Sequence, residues 1–102
     1  MRRGEIWIAQ VGRKKRPVLV LTRSEVIEVR ELATVAEITT SIRGLAAEVE
    51  LDHVDVGLDR PSVINCDGLH TVVQATLIGP VGEVSDDTMR KVCRAVSYAI
   101  GC

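Results

Sequence analysis

The order of apolar and polar side chains along the chain describes a run of short strands followed by one helix. Glu5-Ile6-Trp7-Ile8-Ala9-Gln10 reads as a half-buried strand. Pro17 to Thr22 is almost wholly apolar and predicts a second, more deeply buried strand, with proline at its first position, where the missing N–H is tolerated. The short stretch between them predicts a hairpin-like connection. β-Branched residues and period two predict further strands over Leu32–Thr39 and Ala46–Leu51, with Arg43-Gly44 at the turn. Asp59-Arg60-Pro61 interrupts the chain ahead of another strand, Ser62-Val63-Ile64-Asn65-Cys66, and a last one is expected over Gln74–Ile78, before Gly79-Pro80. Residues 24–30 are too brief a pattern to separate a helical turn from a connector.

The C-terminal segment has the opposite character. Ser85 is a good N-cap, Asp86 and Asp87 complement the positive end of the helix dipole, and Gly101 supplies a terminator. Met89, Val92, Cys93, Val96 and Ile100 then share one helix face, which predicts packing on a core. Many short strands and one closing helix imply a mainly β fold with a C-terminal helix, in the form of a small, strongly curved barrel.

A chain of 102 residues, 46% hydrophobic and 26% charged, fits a single globular domain over residues 1–102. No apolar run reaches the roughly 20 residues needed to cross a bilayer, and Met1-Arg2-Arg3-Gly4-Glu5 leads into a strand instead of a secretory core, so a cytoplasmic location is expected. The net charge of −1 conceals an asymmetry: residues 1–16 hold six basic side chains and one acidic one, whereas seven basic and thirteen acidic side chains follow. Such a basic edge attracts a polyanion locally, and charge alone reads equally well as a solvated loop. Cys66, Cys93 and Cys102 are odd in number, contain no Cys-x-x-Cys pair and have only His53 and His70 as possible co-ligands; neither a disulfide framework nor a zinc site fits.

The candidate chemistry concentrates where Arg13-Lys14-Lys15-Arg16 meets Pro17. Proline biases Arg16 toward an extended backbone and so holds its guanidinium at the mouth of a strand. Residue chemistry leaves Arg16 open between a solvated cation and a phosphate clamp, and Thr39 open between a strand threonine and a hydroxyl of a site. With Trp7 and Tyr98 as the only aromatics, no multi-ring stacking platform is available, and Trp7 reads as a packing residue.

Arg3-Gly4-Glu5-Ile6-Trp7, Arg16-Pro17-Val18-Leu19-Val20-Leu21, Ala36-Glu37-Ile38-Thr39 and Pro61-Ser62-Val63 occur in the order found in the MazF/PemK family, which the chain resembles over essentially its whole length. The resemblance implies an SH3-like barrel, a homodimer, metal-independent cleavage of single-stranded RNA without any cofactor, and a cognate antitoxin as partner. It also implies roles for residues. Arg16 looks like the family's catalytic arginine and Thr39 like its hydroxyl-bearing partner. The chemical reason is that attack by a 2′-hydroxyl loads negative charge onto the phosphoryl oxygens, which a fixed guanidinium stabilises.

Around these, Arg13, Lys14, Lys15, Arg43, Ser62, Asp67 and His70 are expected to shape the RNA groove. Gly68 departs from the family in removing a side chain able to read a base. His70, three residues after Asp67, reads either as a proton-transfer residue or as a structural histidine, and the first loop offers no acid, so the general base is left unassigned. A barrel of the same type that poisons DNA gyrase, as the CcdB proteins do, and a plain interaction module are the alternative readings.

Overall fold

The computed structural model describes residues 1–102, Val11 by its backbone only. Six strands, β1 (Glu5–Val11), β2 (Lys14–Val20), β3 (Leu32–Thr39), β4 (Glu48–Leu51), β5 (Ser62–Val73) and β6 (Ile78–Glu83), form one antiparallel sheet in the order β4-β5-β3-β2-β1-β6. Two helices, α1 (Ser24–Ile27) and α2 (Asp86–Ala99), complete the fold. The sheet curls into a half-barrel. Its edge strands β4 and β6 share no rung; instead Gly57 lies with its Cα close to the Val81 carbonyl and Gly82 lies against the Val56 carbonyl, so the segment after β4 meets β6 where no Cβ intervenes.

The predicted hairpin is tighter than the charge pattern implies. β1 and β2 pair from Ile6↔Leu19 out to Val11↔Lys14, leaving only Gly12 and Arg13 as the turn. Gly12 has φ +61°, as the first position of a two-residue II′ turn requires. Lys14, Lys15 and Arg16 therefore belong to β2 and not to a loop, and Pro17 stands within the strand instead of opening it. The proline is tolerated because β2 pairs with β3 only from Val18 onward, so no β2–β3 rung needs its N–H.

Two further expectations change. Gln74–Thr76 is a 3-10 turn, not a strand: the Gln74 amide donates to the carbonyls of Ile27 and Arg30, both at 2.9 Å, and the Thr76 hydroxyl donates to the Val73 carbonyl. The last strand lies beyond it and contains Gly79-Pro80, which an edge strand with an irregular β1 register accommodates. Likewise β5 runs on past Cys66 to Val73, because Asp67-Gly68 forms a bulge inside the strand and not its end.

The strands β1, β2 and β3 alternate between two apolar clusters. Ile6, Leu19, Ala36, Ile38, Ile64 and Cys66 pack beneath Val92 and Ala95 of α2, and on the opposite face Ala9, Val18, Val20 and Val35 pack with Ile27 and Leu77. α2 begins as predicted, Ser85 Oγ accepting the Thr88 N–H at 3.1 Å, and it ends with Gly101 at φ +79° and the Cys102 N–H on the Ser97 carbonyl. Cys93 departs from its expected place: it is exposed, and its sulfur accepts a hydrogen bond from Arg3 Nη2 at 2.9 Å. No helix is long and apolar enough to cross a membrane among the described residues.

Candidate active site

Strand alternation fixes which side chains can meet. Arg16 shares a face of β2 with Val18 and Val20, and on β3 the same face carries Val35, Glu37 and Thr39. Val18 stands opposite Glu37 at the last rung between the two strands, and Arg16 and Thr39 each lie two residues beyond it on that same face. On β5, Val63 and Asn65 pair with Thr39 and Glu37, and His70 pairs with Val35. The face that is apolar around Val18, Val20 and Val35 thus turns polar further along, with Glu37 and Asn65 on one rung, Thr39 beyond them and Lys14 and Arg16 at the start of β2; His70, the partner of Val35, stands beside the apolar stretch and reaches Glu37.

Arg16 is half-buried, and its guanidinium has no ion-pair or hydrogen-bond partner among the described residues. The extended backbone before Pro17 and the β1 rung at Ala9↔Arg16 set the face of the sheet from which its side chain leaves. Thr39 Oγ1 accepts the Ser41 N–H at 3.1 Å, which fixes the oxygen and leaves the hydroxyl proton to donate. A cation and a donor on neighbouring strands can take the two non-bridging oxygens of one phosphodiester.

The other predicted groove residues divide. Lys14 lies on the Arg16 face and Arg13 at the hairpin tip, whereas Lys15 alternates to the opposite face. Arg43 lies on the loop after β3 and is held by Glu48. The Arg43 and Leu45 N–H groups donate to Glu48 Oε1 at 3.0 and 3.2 Å, and Arg43 Nε lies 3.7 Å from Oε2. Burial pushes the Glu48 carboxyl up; those N–H groups, that of Gly44 and the Arg43 guanidinium outweigh it and hold the group below its ordinary value. Ser62 is not brought into the set. It is buried, its hydroxyl donates to the Arg60 carbonyl at 3.0 Å, and its place beside Val63 turns it to the face away from Thr39.

Asp67 is exposed at the β5 bulge, where its N–H donates to Asn65 Oδ1. Cys66, buried beside it, has its thiol pushed up to about 11 by burial, with the Asp67 charge adding to the effect. That places it among inert core cysteines.

The sequence reading gave no role to Glu37. Its Oε1 lies 3.3 Å from His70 Nε2, and the two side chains are 20% and 41% exposed, so both reach solvent on the open face. Its Oε2 fills the space over Gly68, where a Cβ would stand 2.6 Å from it and 3.0 Å from Asn65 Nδ2. The available signal was the period-two spacing of Glu37 and Thr39, which puts a carboxylate beside the hydroxyl on one strand face. Next to this pair is a cavity of about 210 Å³, its walls including Ala9, Val18, Val35, Val72 and His70.

The fold defines a class: a small half-barrel whose open face carries Arg16, a cation without a partner among the described residues. The chain belongs to the family of PemK-like, MazF-like toxins of type II toxin–antitoxin systems, whose profile matches residues 2–100. It is 41% identical to the probable endoribonuclease MazF5 of Mycobacterium tuberculosis, across 98% of this chain and 93% of that protein, and 48% identical to the endoribonuclease MazF3 of the same organism, across 76% and 73%. Among solved structures, the Mycobacterium tuberculosis toxin MazF-mt6 superposes with a TM-score of 0.89 at 39% identity, covering 95% of this chain and 96% of that one. An endoribonuclease solved in complex with its cognate antitoxin, from a mycobacterial species, superposes with a TM-score of 0.88 at 25% identity, covering 99% and 95%. These relatives favour the ribonuclease reading over the gyrase-poisoning alternative.

Proposed function

We propose that this chain is the toxin of a toxin–antitoxin pair and cleaves single-stranded RNA by attack of a 2′-hydroxyl on the adjacent phosphorus, arresting growth. The observation that carries this reading is Arg16: a half-buried guanidinium, unpaired among the described residues, on the same open face as a hydroxyl whose oxygen is already fixed by Ser41. A guanidinium without a protein partner is free to take the oxygens of an anionic ligand in its planar fork.

Arg16 stabilises the charge that grows on the non-bridging oxygens as the 2′-oxygen bonds to phosphorus, and Thr39 donates to one of those oxygens. The nucleophile belongs to the substrate, so the reaction needs no activated water. Lys14, and Arg13 at the turn, guide the backbone toward the face through charge. The products are a 2′,3′-cyclic phosphate and a 5′-hydroxyl.

One named relative is an endoribonuclease solved with its cognate antitoxin, and this chain's basic hairpin offers an acidic antitoxin segment the same charge complementarity that RNA would use. A homodimer and a cytoplasmic location accompany the reading and rest on the family resemblance. The test is a long RNA incubated with the protein in chelator and mapped for ends. Discrete cuts with 5′-hydroxyl and cyclic phosphate termini, absent with Arg16→Ala, are expected; an Arg16→Ala protein that cuts at the original rate removes the arginine from the mechanism.

A further inference from the structure

Two choices in this chain are locally unfavourable, and they meet at one contact. A carboxylate stands at position 37 of a central strand, with Val35 and Thr39 as its neighbours on the same face. A glycine stands at position 68 within β5 although its φ lies outside the left-handed region, so the backbone there suits any residue. A glycine inside a strand weakens it through backbone entropy and the missing side chain. What Gly68 provides is room: a Cβ would meet Glu37 Oε2 at 2.6 Å. The Glu37 carboxylate therefore takes the space a side chain at 68 would fill, and from there its other oxygen reaches His70. Sites where local rules fail together are where function is expected.

We propose that His70 is the general base that accepts the 2′-hydroxyl proton, and that Glu37 is the positioning residue that turns its imidazole. With Nε2 facing the carboxylate, Nδ1 is the nitrogen left to take a proton, the arrangement of a carboxylate-oriented histidine base. The inference rests on the ribonuclease reading above. In the step, the O2′–H bond breaks and its proton passes to Nδ1; the O2′–P bond forms as the P–O5′ bond breaks. O5′ takes a proton from water, and the imidazolium returns its own to solvent.

The test uses the full-length protein, a short RNA spanning a mapped cut, and single-turnover rates at saturating RNA. His70→Ala is expected to slow cleavage by about 10²-fold or more without altering the RNA concentration for half-saturation, and added imidazole is expected to restore part of that rate but none of the Arg16→Ala loss. Glu37→Ala and Gly68→Ala should each slow the reaction by about tenfold, and the double variant should be no slower than Glu37→Ala alone, because removing the carboxylate empties the space the new methyl needs.

An undiminished rate in His70→Ala overturns the proposal, as does a loss confined to half-saturation. So does a changed cut sequence at full rate, which would make His70 a reader of bases. Gly68→Ala that slows the Glu37→Ala protein as much as the wild type would reduce the contact to packing. Thermal melts separate misfolding from lost chemistry, and if Gly68→Ala does not fold, the His70→Ala and imidazole results decide. A wild-type protein that cuts no RNA defeats the ribonuclease reading itself; a cutting wild type, dead Arg16→Ala and fully active His70→Ala defeat only this inference.

Discussion

The two faces of the sheet share strands but do different work. Beneath α2, Ile6, Leu19, Ala36, Ile38, Ile64 and Cys66 form an uninterrupted apolar surface that Val92 and Ala95 close. On the other face Ala9, Val18, Val20 and Val35 begin the same way, capped by Ile27 and Leu77, but further along β2 and β3 the face opens to Arg16, Glu37 and Thr39, with His70 at its margin across from Val35. The lesson is that parity and position along the strand together separate stability from chemistry: on β3 a one-residue step from buried Ala36 or Ile38 reaches Glu37 or Thr39 on the open face, whereas nearer α1 the same face is closed by Val18, Val20 and Val35.

That separation is broken most severely by paired substitutions one strand face apart. Arg16→Ala should lose about 10²–10³-fold or more in cleavage rate, as removal of a charge-stabilising donor does elsewhere, while its melting temperature stays at the wild-type value. Leu19→Ala, on the sealed face and fully buried, should instead lose about 2–5 kcal/mol of stability, read from urea midpoints. The protein that remains folded should cut at the wild-type rate per molecule. Coupled losses in both variants would mean the two faces are not independent.

Thr39→Val sharpens the comparison from within the open face. It keeps the β-branched shape that the strand favours and removes the hydroxyl. The Ser41 N–H loses its acceptor, worth about 0.5–1.5 kcal/mol of stability, and the phosphate loses one donor, worth about 1.5–3 kcal/mol in the transition state because its partner is charged. A rate unchanged in single-turnover assays would leave Thr39 a turn residue and nothing more.

How much of this was legible before the fold was known follows from the range of the interactions. The strands over Leu32–Thr39 and at Glu5–Val11, and the capped C-terminal helix, were visible because period two, Ser85 and Gly101 are local signals. The hairpin turn was misjudged because charge was taken as a sign of loop, whereas the β1–β2 pairing carries Lys14 to Arg16 into the strand. Gly68 read as a missing side chain, since no local pattern reveals that a residue 31 positions earlier occupies its space. Ser62 failed as a groove candidate for the same reason: its face is set by the cross-strand partner of Val63. Arg16 and Thr39 were nominated by family resemblance, and that both lie on one face beyond the last β2–β3 rung follows from a register that the sequence does not display.

The smallest expected effect lies on the loop that follows Thr39 and joins β3 to β4. Glu48 is tucked beneath that loop with its side chain 3% exposed, and its folded carboxyl lies below its ordinary value of 4.5 because Arg43 and the loop N–H groups outweigh the penalty of burial. A carboxyl depressed in the folded state contributes stability that is fully present above its unfolded value and is lost as pH falls through its folded value. Urea midpoints followed from about pH 6 down to about pH 3 should therefore fall less steeply for Glu48→Gln than for the wild type, the two curves converging at the acid end. Cleavage by Glu48→Gln near neutral pH should drop modestly, because Arg43 loses its anchor but Arg16, on the separate β1–β2 hairpin, does not. Parallel urea curves would mean that the contacts of Glu48 form equally in the unfolded chain, and a cleavage loss as deep as that of Arg16→Ala would place this loop inside the reacting site instead of at its border.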